Sequence, residues 1–590
     1  MTARRGTNCR GTNSHWAQLM VEELARCGCR YFVISPGSRS TPLVVAAARH
    51  PSVTASVCID ERGAAFHAVG HARATGSPAA LVCTSGTALA NYLPAAVEAA
   101  QDQVPLLVLS ADRPPELHDT GANQTILQRG MFGQYARWST ELPVPTPHVD
   151  PRVVLTTIDQ AVLRCTTDPA GPVHVNVPFG EPLEPGPIPQ PLLEGAQGRR
   201  WCTTEEPFTV YRSTPGEVAV SELASVVAQS SRGLLVAGAM AHGAGAAVEA
   251  LAGHLGWPLL GDAVSGARGN AGAQLLLQSP AGRRTLRPDT VLHFGSHVVA
   301  KHYLTLLQET APRLVQIAPG PRRLDPSHSA ALRIAAEPGR VARALTAQCP
   351  PRDPSAYAGA VGQAGARAAA AVAGWADEQQ GMTEPMVARL AAAAAAGPPR
   401  AGLFAASSMP IRDLDTFATP LPAGVAVAAN RGASGIDGAV ASAAGFAAGL
   451  RRPVVALLGD LSLLHDLPSL SQLGASRHGL VIVVVNNRGG GIFSLLPLAR
   501  VDEPGFHALF ERYFATRHEI GFEPVAAGFA LHYRRPETPA HLERCLAAAV
   551  HRAAGGDSTL LEVVTDRGSN AAVHRELSLR TERAVVAGRG

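Results

Sequence analysis

Short runs of apolar, often β-branched residues recur along this chain, and each run stops at a turn or a polar cluster. Runs of this kind are typical of strands that are buried on both faces of a parallel sheet. Segments with apolar residues at helical spacing separate the runs, so the pattern predicts an α/β protein of parallel sheets flanked by helices. The predicted strands comprise residues 31–34, 53–59, 80–83, 106–110, 234–238, 258–260, 290–294, 454–458, 480–485 and 559–564.

Several of the predicted helices bear on function. They comprise residues 16–26, 88–100, 244–255, 360–375 and 439–450, together with a helix that begins at Glu61. Glycine and alanine dominate residues 439–450, so we expect this helix to pack very close to a partner or a cofactor. Residues 463–473 are predicted to form the crossover helix of a βαβ unit. A polar tail is expected after the last strand.

Two proline-containing stretches, residues 181–216 and 349–354, interrupt the alternation of strand and helix and predict linkers. We therefore expect an N-terminal domain at residues 1–182, a linker at 183–216, a middle domain at 217–350 and a C-terminal domain at 351–590. A chain of 590 residues is long enough for three domains that each bury a core. The middle domain lacks a clean GxGxxG loop, so we interpret it as structural.

Composition and charge exclude several classes of function. The chain is 46% hydrophobic and 17% charged, which is typical of a soluble globular protein. A net charge of +4 without a basic run interleaved with aromatics gives no support for nucleic-acid binding. Nine cysteines without a CxxC pair indicate neither disulfides nor a zinc site, and they fit a reducing cytoplasm. Neither a secretory signal nor a membrane span is predicted.

Two polar residues follow the predicted strands 454–458 and 480–485. Asp460 comes directly after the first of these strands, and Asn487 follows the second in front of a glycine-rich turn. Ligands of open α/β sheets bind at the carboxyl ends of the strands. Two oxygen ligands placed there suit Mg²⁺. The alternative is that Asp460 only caps the following helix and that Asn487 belongs to a turn.

The N-terminal domain offers a candidate anion site and a candidate acid. Strand 31–34 ends in a Ser/Gly loop, SPGSRS, which contains Ser38 and Arg39 and precedes a new helix at Pro42. Backbone N–H groups at a helix N-terminus bind anions, although an ordinary strand-to-helix turn explains the loop equally well. Glu61 lies at the start of its helix, where a favourable interaction with the helix dipole is the simpler explanation.

Eight motifs together resemble one family. In order they are SPGSRS, IDER, CTSGTALANYLPAAVEA, SADRPPEL, GANQTI, NRGASGIDG, GDLSLLHDLPSL and NNRGGGIFSLLP. The chain resembles the 2-succinyl-5-enolpyruvyl-6-hydroxy-3-cyclohexene-1-carboxylate synthases, thiamine-diphosphate-dependent transferases of menaquinone biosynthesis. The resemblance implies a pyrimidine-binding domain, a middle domain and a diphosphate-binding domain. One departure is Leu461, which stands where the thiamine-diphosphate signature commonly has glycine.

The resemblance assigns cofactor roles to particular residues. Glu61 matches the glutamate that binds the aminopyrimidine ring of thiamine diphosphate and is the implied catalytic residue. Asp460, Asn487 and the carbonyl group of Gly489 match the ligands of Mg²⁺, with Mn²⁺ as the alternative ion. Ile436 and Ile492 are candidates for the apolar wedge that bends the cofactor, with core packing as the alternative. The remaining implied cofactor-binding residues are Ser85, Gly86, Gly459, Leu461, Ser462 and Gly490.

The implied substrates are 2-oxoglutarate and isochorismate, which are both dicarboxylic acids. The expected reaction decarboxylates 2-oxoglutarate and adds the resulting succinyl unit to isochorismate. Arginine suits such substrates because its guanidinium group binds carboxylates in a bidentate manner. Phe493 and Leu495 are expected to shield the site from water. The implied substrate-binding residues are Ser38, Arg39, Arg113, Gln124, Lys301, Ser408, Arg412, Arg431, Ile492, Phe493 and Leu495.

The resemblance also implies an assembly. Active sites of this superfamily lie at subunit interfaces, so we expect a homo-oligomer of at least two subunits, and a tetramer is compatible. Two alternatives stay open: a different thiamine-diphosphate-dependent 2-oxo acid decarboxylase or carboligase, and a non-catalytic relative. The arginines argue against the first alternative, and the joint presence of Glu61, Asp460 and Asn487 argues against the second.

Overall fold

The computed structural model describes residues 3–212, 220–241, 243–418, 420–422, 424–475 and 477–589. The chain divides into two compact units. The first unit comprises Met1–Pro215, Asn430–Leu450 and Asp466–Ser476, and the second comprises Gly216–Ala429, Arg451–His465 and Arg477–Gly590. Strands within the described residues form three sheets, and the neighbouring strands pair in parallel. The predicted α/β class with parallel sheets is therefore confirmed.

The first sheet lies in the first unit. Its strands are β1 (Tyr31–Ile34), β2 (Thr54–Val57), β3 (Ala79–Cys83), β4 (Leu106–Asp112), β5 (Trp138–Glu141) and β6 (Pro172–Pro178). The accompanying helices are α1 (Ala3–Arg26), α2 (Thr41–Arg49), α3 (Glu61–Thr75), α4 (Thr87–Asn91), α5 (Leu93–Asp102), α6 (Arg152–Thr166) and α7 (Gly195–Thr203). The strand order is β2-β1-β3-β4-β6-β5.

One prediction in this unit needs correction. The predicted helix 88–100 is divided into α4 and α5, because Pro94 lies in the first turn of α5 and cannot donate a backbone hydrogen bond to the preceding turn. The predicted linker contains α7. Trp201 of α7 is 3% exposed, and the guanidinium group of Arg26 lies 4.0 Å from its ring centre. The domain boundaries themselves stay a prediction.

The second sheet lies in the second unit. Its strands are β7 (Gly233–Ala237), β8 (Leu259–Gly261), β9 (Thr290–Phe294), β10 (Arg313–Ala318) and β11 (Ala330–Ala335). The helices of this region are α8 (Ser221–Gln229), α9 (Ala244–Leu255), α10 (Ala273–Leu277), α11 (Pro280–Leu286), α12 (His302–Thr310) and α13 (Pro338–Gln348). The strand order is β11-β10-β9-β7-β8, and β9 and α9 have the predicted bounds.

The third sheet also lies in the second unit. Its strands are β12 (Gly402–Ala405), β13 (Val427–Ala428), β14 (Val454–Gly459), β15 (Leu480–Asn486), β16 (His532–Arg534) and β17 (Thr559–Val564). The helices in this part of the chain are α14 (Ala356–Glu378), α15 (Glu384–Ala396), α16 (Met409–Phe417), α17 (Ala439–Leu450), α18 (Asp460–His465), α19 (Phe506–Tyr513), α20 (Glu523–Gly528), α21 (Pro539–Ala554) and α22 (Arg567–Val586), of which α17 belongs to the first unit. The order is β13-β12-β14-β15-β17-β16. No helix among the described residues is both long and apolar enough to cross a membrane.

Strands β14 and β15 are direct neighbours, as the sequence predicts. They pair from Val454 with Leu480 to Gly459 with Val485, so both strands end at the same level of the sheet. The predicted crossover helix 463–473 is wrong in form. The short helix α18 is followed by a 3-10 segment, Leu467–Ala475, because Pro468 cannot continue an α-helical hydrogen-bond ladder.

The predicted polar tail is also wrong, because residues after β17 form the 20-residue helix α22. Asp566 caps this helix by accepting hydrogen bonds from the N–H groups of Gly568 and Ser569 at 3.1 and 3.0 Å. Its few apolar side chains, including Leu577 and Val585, are buried in one core with residues of α14. They are too sparse to produce a clear helical pattern in the sequence.

Helix α17 packs tightly on α3 within the first unit, as its glycine-rich composition predicts. A Cβ atom at Gly445 would lie 1.8 Å from the carbonyl oxygen of His67. A Cβ atom at Gly70 would lie 2.0 Å from the carbonyl oxygen of Ser442. The two helix backbones are therefore in direct contact, and only glycine allows this approach.

Candidate active site

The carboxylate of Asp460 lies at the carboxyl end of β14 and is 2% exposed. Its Oδ1 accepts a hydrogen bond from the N–H of Leu461 at 2.7 Å, and its Oδ2 accepts one from the N–H of Gly489 at 2.9 Å. His518 Nε2 lies 3.2 Å from the same Oδ2. The residue is thus more than a helix cap, because it also holds the loop that follows β15.

Asn487 lies at the end of β15 and has one unsatisfied polar atom. Its Nδ2 donates a hydrogen bond to Glu384 Oε1 at 2.8 Å. Its Oδ1 is buried and has no hydrogen-bond partner among the described residues. An unpaired buried acceptor costs about 1–3 kcal/mol. An oxygen atom in this state is well suited to a cation.

The turn after β15 requires glycine at position 489. Gly489 has a φ of +149°, and a Cβ atom there would lie 2.3 Å from the carbonyl oxygen of Ala515. The N–H of Gly490 donates a hydrogen bond to the same Ala515 carbonyl at 2.7 Å. The Gly489 carbonyl accepts a bond from the N–H of Gly491 at 3.0 Å, and its second lone pair can serve another partner.

The electrostatics of this edge favour a bound cation. Burial, followed by the nearby charge of Asp413, raises the pKa of Glu384 to about 7, although the hydrogen bond from Asn487 opposes the shift. Burial also raises the pKa of Asp460. Two buried acids beside an unpaired amide oxygen and a glycine carbonyl form an oxygen-rich set of donors, which fits Mg²⁺.

Sequence reasoning missed Glu384 and His518. Glu384 is the first residue of α15, and His518 lies in the loop after α19. Both reach the site only because tertiary packing brings distant segments to the ends of β14 and β15. A glutamate at a helix start was the only local signal, and it is usually explained by the helix dipole.

Other predicted residues of the second unit lie in the same loops, in α18, or at the starts of α12 and α16. Gly459 ends β14, and Leu461 and Ser462 belong to α18. A 3-10 segment, Gly491–Leu495, follows Gly490 and presents the half-buried side chains of Ile492, Phe493 and Leu495. These side chains form an apolar wall directly after the candidate metal ligands.

Ser408 and Arg412 form a strained helix start. Ser408 has a φ of +76°, a conformation that is unfavourable for a residue with a side chain. Arg412 Nη1 donates a hydrogen bond to the Ser408 carbonyl. Strain of this kind at a non-glycine residue is common at functional sites. Lys301 is exposed and immediately precedes α12.

The predicted cationic residues of the first sheet lie close to one another. Arg39 is 7% exposed; its Nη1 donates a hydrogen bond to the Phe179 carbonyl at 2.9 Å, and its Nη2 lies 3.0 Å from Glu181 Oε1. Its Nε is buried without a partner in the described part of the chain. Burial, followed by the charge of Arg39, lowers the pKa of Arg113. Two neighbouring guanidinium groups favour an anion between them.

Arg113 is joined to the loop after β3. Its Nη1 donates hydrogen bonds to Ser85 Oγ and to the Gln124 carbonyl, the latter at 3.1 Å. Gln124 Nε2 in turn donates to the Ser85 carbonyl at 2.8 Å. The N–H of Gly86 donates to Oε1 of Gln128 at 2.9 Å. Gln128 is a third residue that sequence reasoning missed. Ser38 lies exposed in the loop beside Arg39.

Glu61 begins α3, but it does not cap the helix. Asp60 performs that role, because its Oδ1 accepts hydrogen bonds from Arg62 N–H at 2.9 Å and Gly63 N–H at 3.4 Å. Glu61 is half-buried. Its charge contributes, after burial, to the raised pKa of Tyr92. Glu61 lies in the first turn of α3, so the favourable interaction with the helix dipole still applies to it.

Arg431 and Ile436 lie half-buried in the loop that precedes α17, which belongs to the first unit. The predicted residues thus form two groups. The first unit contains Ser38, Arg39, Glu61, Ser85, Gly86, Arg113, Gln124, Arg431 and Ile436. The second unit contains Lys301, Ser408, Arg412, Gly459, Asp460, Leu461, Ser462, Asn487, Gly489, Gly490, Ile492, Phe493 and Leu495.

Three family models match the chain in order. Residues 14–131 match the thiamine pyrophosphate enzyme N-terminal TPP binding domain, and residues 196–395 match the middle domain of thiamine pyrophosphate enzymes. Residues 416–563 match the thiamine pyrophosphate enzyme C-terminal TPP binding domain. The candidate metal ligands Asp460, Asn487 and Gly489 fall in the last region, and Glu61 falls in the first.

Curated relatives match almost the whole chain. A 2-succinyl-5-enolpyruvyl-6-hydroxy-3-cyclohexene-1-carboxylate synthase of Rubrobacter xylanophilus is 49% identical over 96% of this chain and 98% of its own length. The enzyme of the same name from Salinibacter ruber is 45% identical, with 97% of each chain covered. That of Chlorobaculum tepidum is 42% identical, with 98% of each chain covered.

Proposed function

This chain belongs to the 2-succinyl-5-enolpyruvyl-6-hydroxy-3-cyclohexene-1-carboxylate synthase family of thiamine-diphosphate enzymes, and on that premise we propose its reaction and site residues. The protein decarboxylates 2-oxoglutarate and adds the remaining succinyl unit to isochorismate. The products are CO₂ and the 2-succinyl cyclohexene carboxylate for which the family is named. The reaction serves menaquinone biosynthesis.

The observation that carries the proposal is the pair of neighbouring guanidinium groups of Arg39 and Arg113. Arg39 is almost fully buried, and its Nε has no hydrogen-bond partner among the described residues. Glu181 balances the charge of Arg39 in an ion pair, but burying a second cation beside it is unfavourable unless a further anion accompanies the two. A carboxylate of either substrate supplies that anion, and the hydroxyl group of Ser85 fixes the direction of Arg113.

The metal-site residues fit the diphosphate end of the cofactor. Asp460, Asn487 and the Gly489 carbonyl would hold Mg²⁺, or Mn²⁺ in its place, and the ion would supply positive charge for the diphosphate. Gly459, Ser462 and Gly490 border these ligands. When bound, thiamine diphosphate supplies the electron sink for the charge that remains after CO₂ leaves. The unpaired Oδ1 of Asn487 supports this assignment.

Glu61 holds the other end of the cofactor. Its half-buried carboxyl group would hold a proton shared with the aminopyrimidine ring, and Ile436 would give the cofactor an apolar support. Hydrogen bonding to a carboxyl group in a partly desolvated site controls where that proton resides. Ser85 and Gly86 complete the ring-binding loop.

The remaining residues orient the substrates and exclude water. Arg412, Arg431 and Lys301 provide further cations for substrate carboxylates. Ile492, Phe493 and Leu495 form the apolar wall, which limits the access of water to the reacting carbon. Ser38, Gln124 and Ser408 provide polar contacts. We place these sites at the subunit interfaces of a cytoplasmic homo-oligomer.

A coupled consumption assay tests this function. Purified protein with Mg²⁺ and thiamine diphosphate should consume 2-oxoglutarate and isochorismate in equal amounts and release one CO₂ per pair. Pyruvate offered in place of 2-oxoglutarate serves as the control for another carboligase. Preferential use of pyruvate would overturn the substrate assignment, and no turnover with any 2-oxo acid would identify a non-catalytic relative.

A further inference from the structure

The loop that carries Arg431 and Ile436 is anchored to the first sheet's helices by a buried carboxylate. Glu98 of α5 is 2% exposed. Its Oε1 accepts a hydrogen bond from the N–H of Gly432 at 2.9 Å, and its Oε2 accepts one from the N–H of Ala433 at 2.6 Å. These are the two backbone groups that directly follow Arg431. A single side chain therefore fixes the main chain beside a residue proposed to bind substrate.

Glu98 is itself held by an arginine. Arg73 of α3 donates from Nη2 to Glu98 Oε1 at 2.6 Å, and its Nη1 pairs with Asp102 of α5. Burial alone would lower the pKa of Arg73, but the charges of Asp102 and Glu98 more than offset this effect and raise the pKa. The arginine stays charged, and it gives Glu98 both a fixed position and a compensating charge.

The guanidinium group of Arg431 has a hydrogen-bond donor available for a ligand. Its Nε is buried and has no hydrogen-bond partner in the part of the chain that the structure describes. Charge-assisted bonds to the two following amides are stronger than neutral ones and restrict the local backbone. An arginine that must meet a carboxylate in a bidentate geometry depends on such restriction, because misplacement by about 1 Å can cost 100-fold in rate.

We propose that Glu98 is a positioning residue, which orients Arg431 toward a substrate carboxylate by binding the Gly432 and Ala433 amides. Arg73 in turn fixes Glu98. The inference rests on the proposed function, which gives Arg431 a carboxylate to bind. It adds a residue from the first sheet's helices to the determinants of substrate binding.

Hydrogen–deuterium exchange tests the contact without reference to activity. Glu98→Gln retains the size of the side chain but has one acceptor oxygen, so it cannot serve both amides. Exchange of peptides covering residues 430–436 should accelerate about tenfold or more in this variant, as expected when a charge-assisted bond is lost. Unchanged exchange would overturn the proposal. Glu98→Asp, with both oxygens retained, is the second variant if Glu98→Gln does not fold.

Asp102→Asn is the matched control. Among the described residues Asp102 pairs with Arg73 and takes no hydrogen bond from the loop amides. This variant weakens the ion pairs on the same helix but leaves the loop contact intact. Its exchange over residues 430–436 should match the wild type. Equal acceleration in Asp102→Asn and Glu98→Gln would show a general loosening of α5 and would overturn the specific role.

Steady-state kinetics test the consequence for substrate binding. Glu98→Gln should raise KM about 10- to 100-fold for the substrate whose KM Arg431→Ala also raises, with a smaller change in kcat. In the Arg431→Ala background, Glu98→Gln should add no further increase. Multiplicative effects in the double variant would overturn the proposal. Absence of turnover in the wild type would refute the proposed function. The exchange result would still show whether Glu98 holds the Gly432 and Ala433 amides.

Discussion

Two clusters of buried polar groups resemble each other in composition but differ in how their hydrogen bonds are satisfied. Glu23, Cys27 and Asp159 in the first unit place their ligand atoms within 4.8 Å of one another, as a metal site requires. Asp460 and Asn487 in the second unit combine one carboxylate with an amide. The grouping of acids alone favours the first cluster as a metal site. The hydrogen bonds favour the second cluster as the metal site.

The carboxylates of the first cluster obtain their hydrogen bonds from the protein itself. Glu23 accepts hydrogen bonds from Trp201 Nε1 and from the N–H of Phe208, both at 2.6 Å, and Asp159 Oδ2 accepts one from the N–H of Thr209 at 2.9 Å. Burial, together with the neighbouring Asp159, raises the pKa of Glu23 to about 8. The pair thus retains a proton near neutral pH, and it fastens residues 201–209 to α1 and α6.

The second cluster leaves an acceptor without a donor. Asn487 Oδ1 is buried and unpaired among the described residues, and Gly489 offers a carbonyl oxygen from a turn that excludes side chains. A cation satisfies both atoms, whereas a proton cannot. The unmet acceptor therefore favours Asp460 and Asn487 as the candidate metal site, although the first cluster contains more acids.

The largest expected effect comes from Asp460→Ala. Removing this carboxylate should abolish metal-dependent retention of thiamine diphosphate, because the ion loses its charged ligand. Isothermal titration with cofactor in the presence of Mg²⁺ measures the loss. Asp159→Asn is the control and should bind as the wild type does. Full retention in Asp460→Ala would return this residue to a structural role.

Glu61→Gln separates catalysis from binding. The variant keeps a polar side chain of the same size at the start of α3, so we expect cofactor affinity to persist. The rate should fall about 10²- to 10⁴-fold, since a positioned proton-transfer group contributes this much. Single-turnover measurements at saturating cofactor test the result, and an unchanged rate would remove Glu61 from the mechanism.

Asn487→Asp should make the thermal stability of the protein more dependent on a cation bound at the second cluster. The new carboxylate would face Glu384 without the present hydrogen bond, and an uncompensated buried charge costs about 3 kcal/mol. We expect a lower Tm in EDTA and a larger recovery on adding Mg²⁺ than in the wild type. If Mg²⁺ raised the Tm of the variant and of the wild type equally, the assignment of Asn487 as a metal ligand would be contradicted.

Asp159→Asn should produce the smallest effect, in the pH dependence of stability. The pKa of Glu23 is higher in the folded protein than its ordinary value of 4.5, so its contribution is fully present below pH 4.5 and is lost as the pH rises through about 8. An amide at position 159 removes the repelling charge and lowers this pKa. The free energy of unfolding, measured with urea between pH 5 and 8, should therefore decline less steeply with pH than in the wild type. An identical pH dependence in the two proteins would contradict the proton shared by Glu23 and Asp159.

Local sequence patterns were sufficient for much of the fold and for the strand ends that carry the proposed metal ligands. Strands β14 and β15 are short and uniformly apolar, so their ends, and hence Asp460 and Asn487, could be predicted. Glu384 could not, because 103 residues separate it from Asn487. Helix α22 escaped prediction because tertiary contacts with α14, rather than a strong amphipathic pattern, stabilise it.

The contact between α3 and α17 has a mechanical consequence. Helix α3 begins with Glu61, and α17 follows the loop that contains Arg431 and Ile436. Because Gly70 and Gly445 bring the two backbones into direct contact, no side-chain rotamer change can alter the separation of the helices. The two helices therefore form a rigid unit whose spacing is set by main-chain atoms. This unit holds the proposed catalytic acid at the start of α3 and the proposed substrate-binding loop before α17 at a fixed separation.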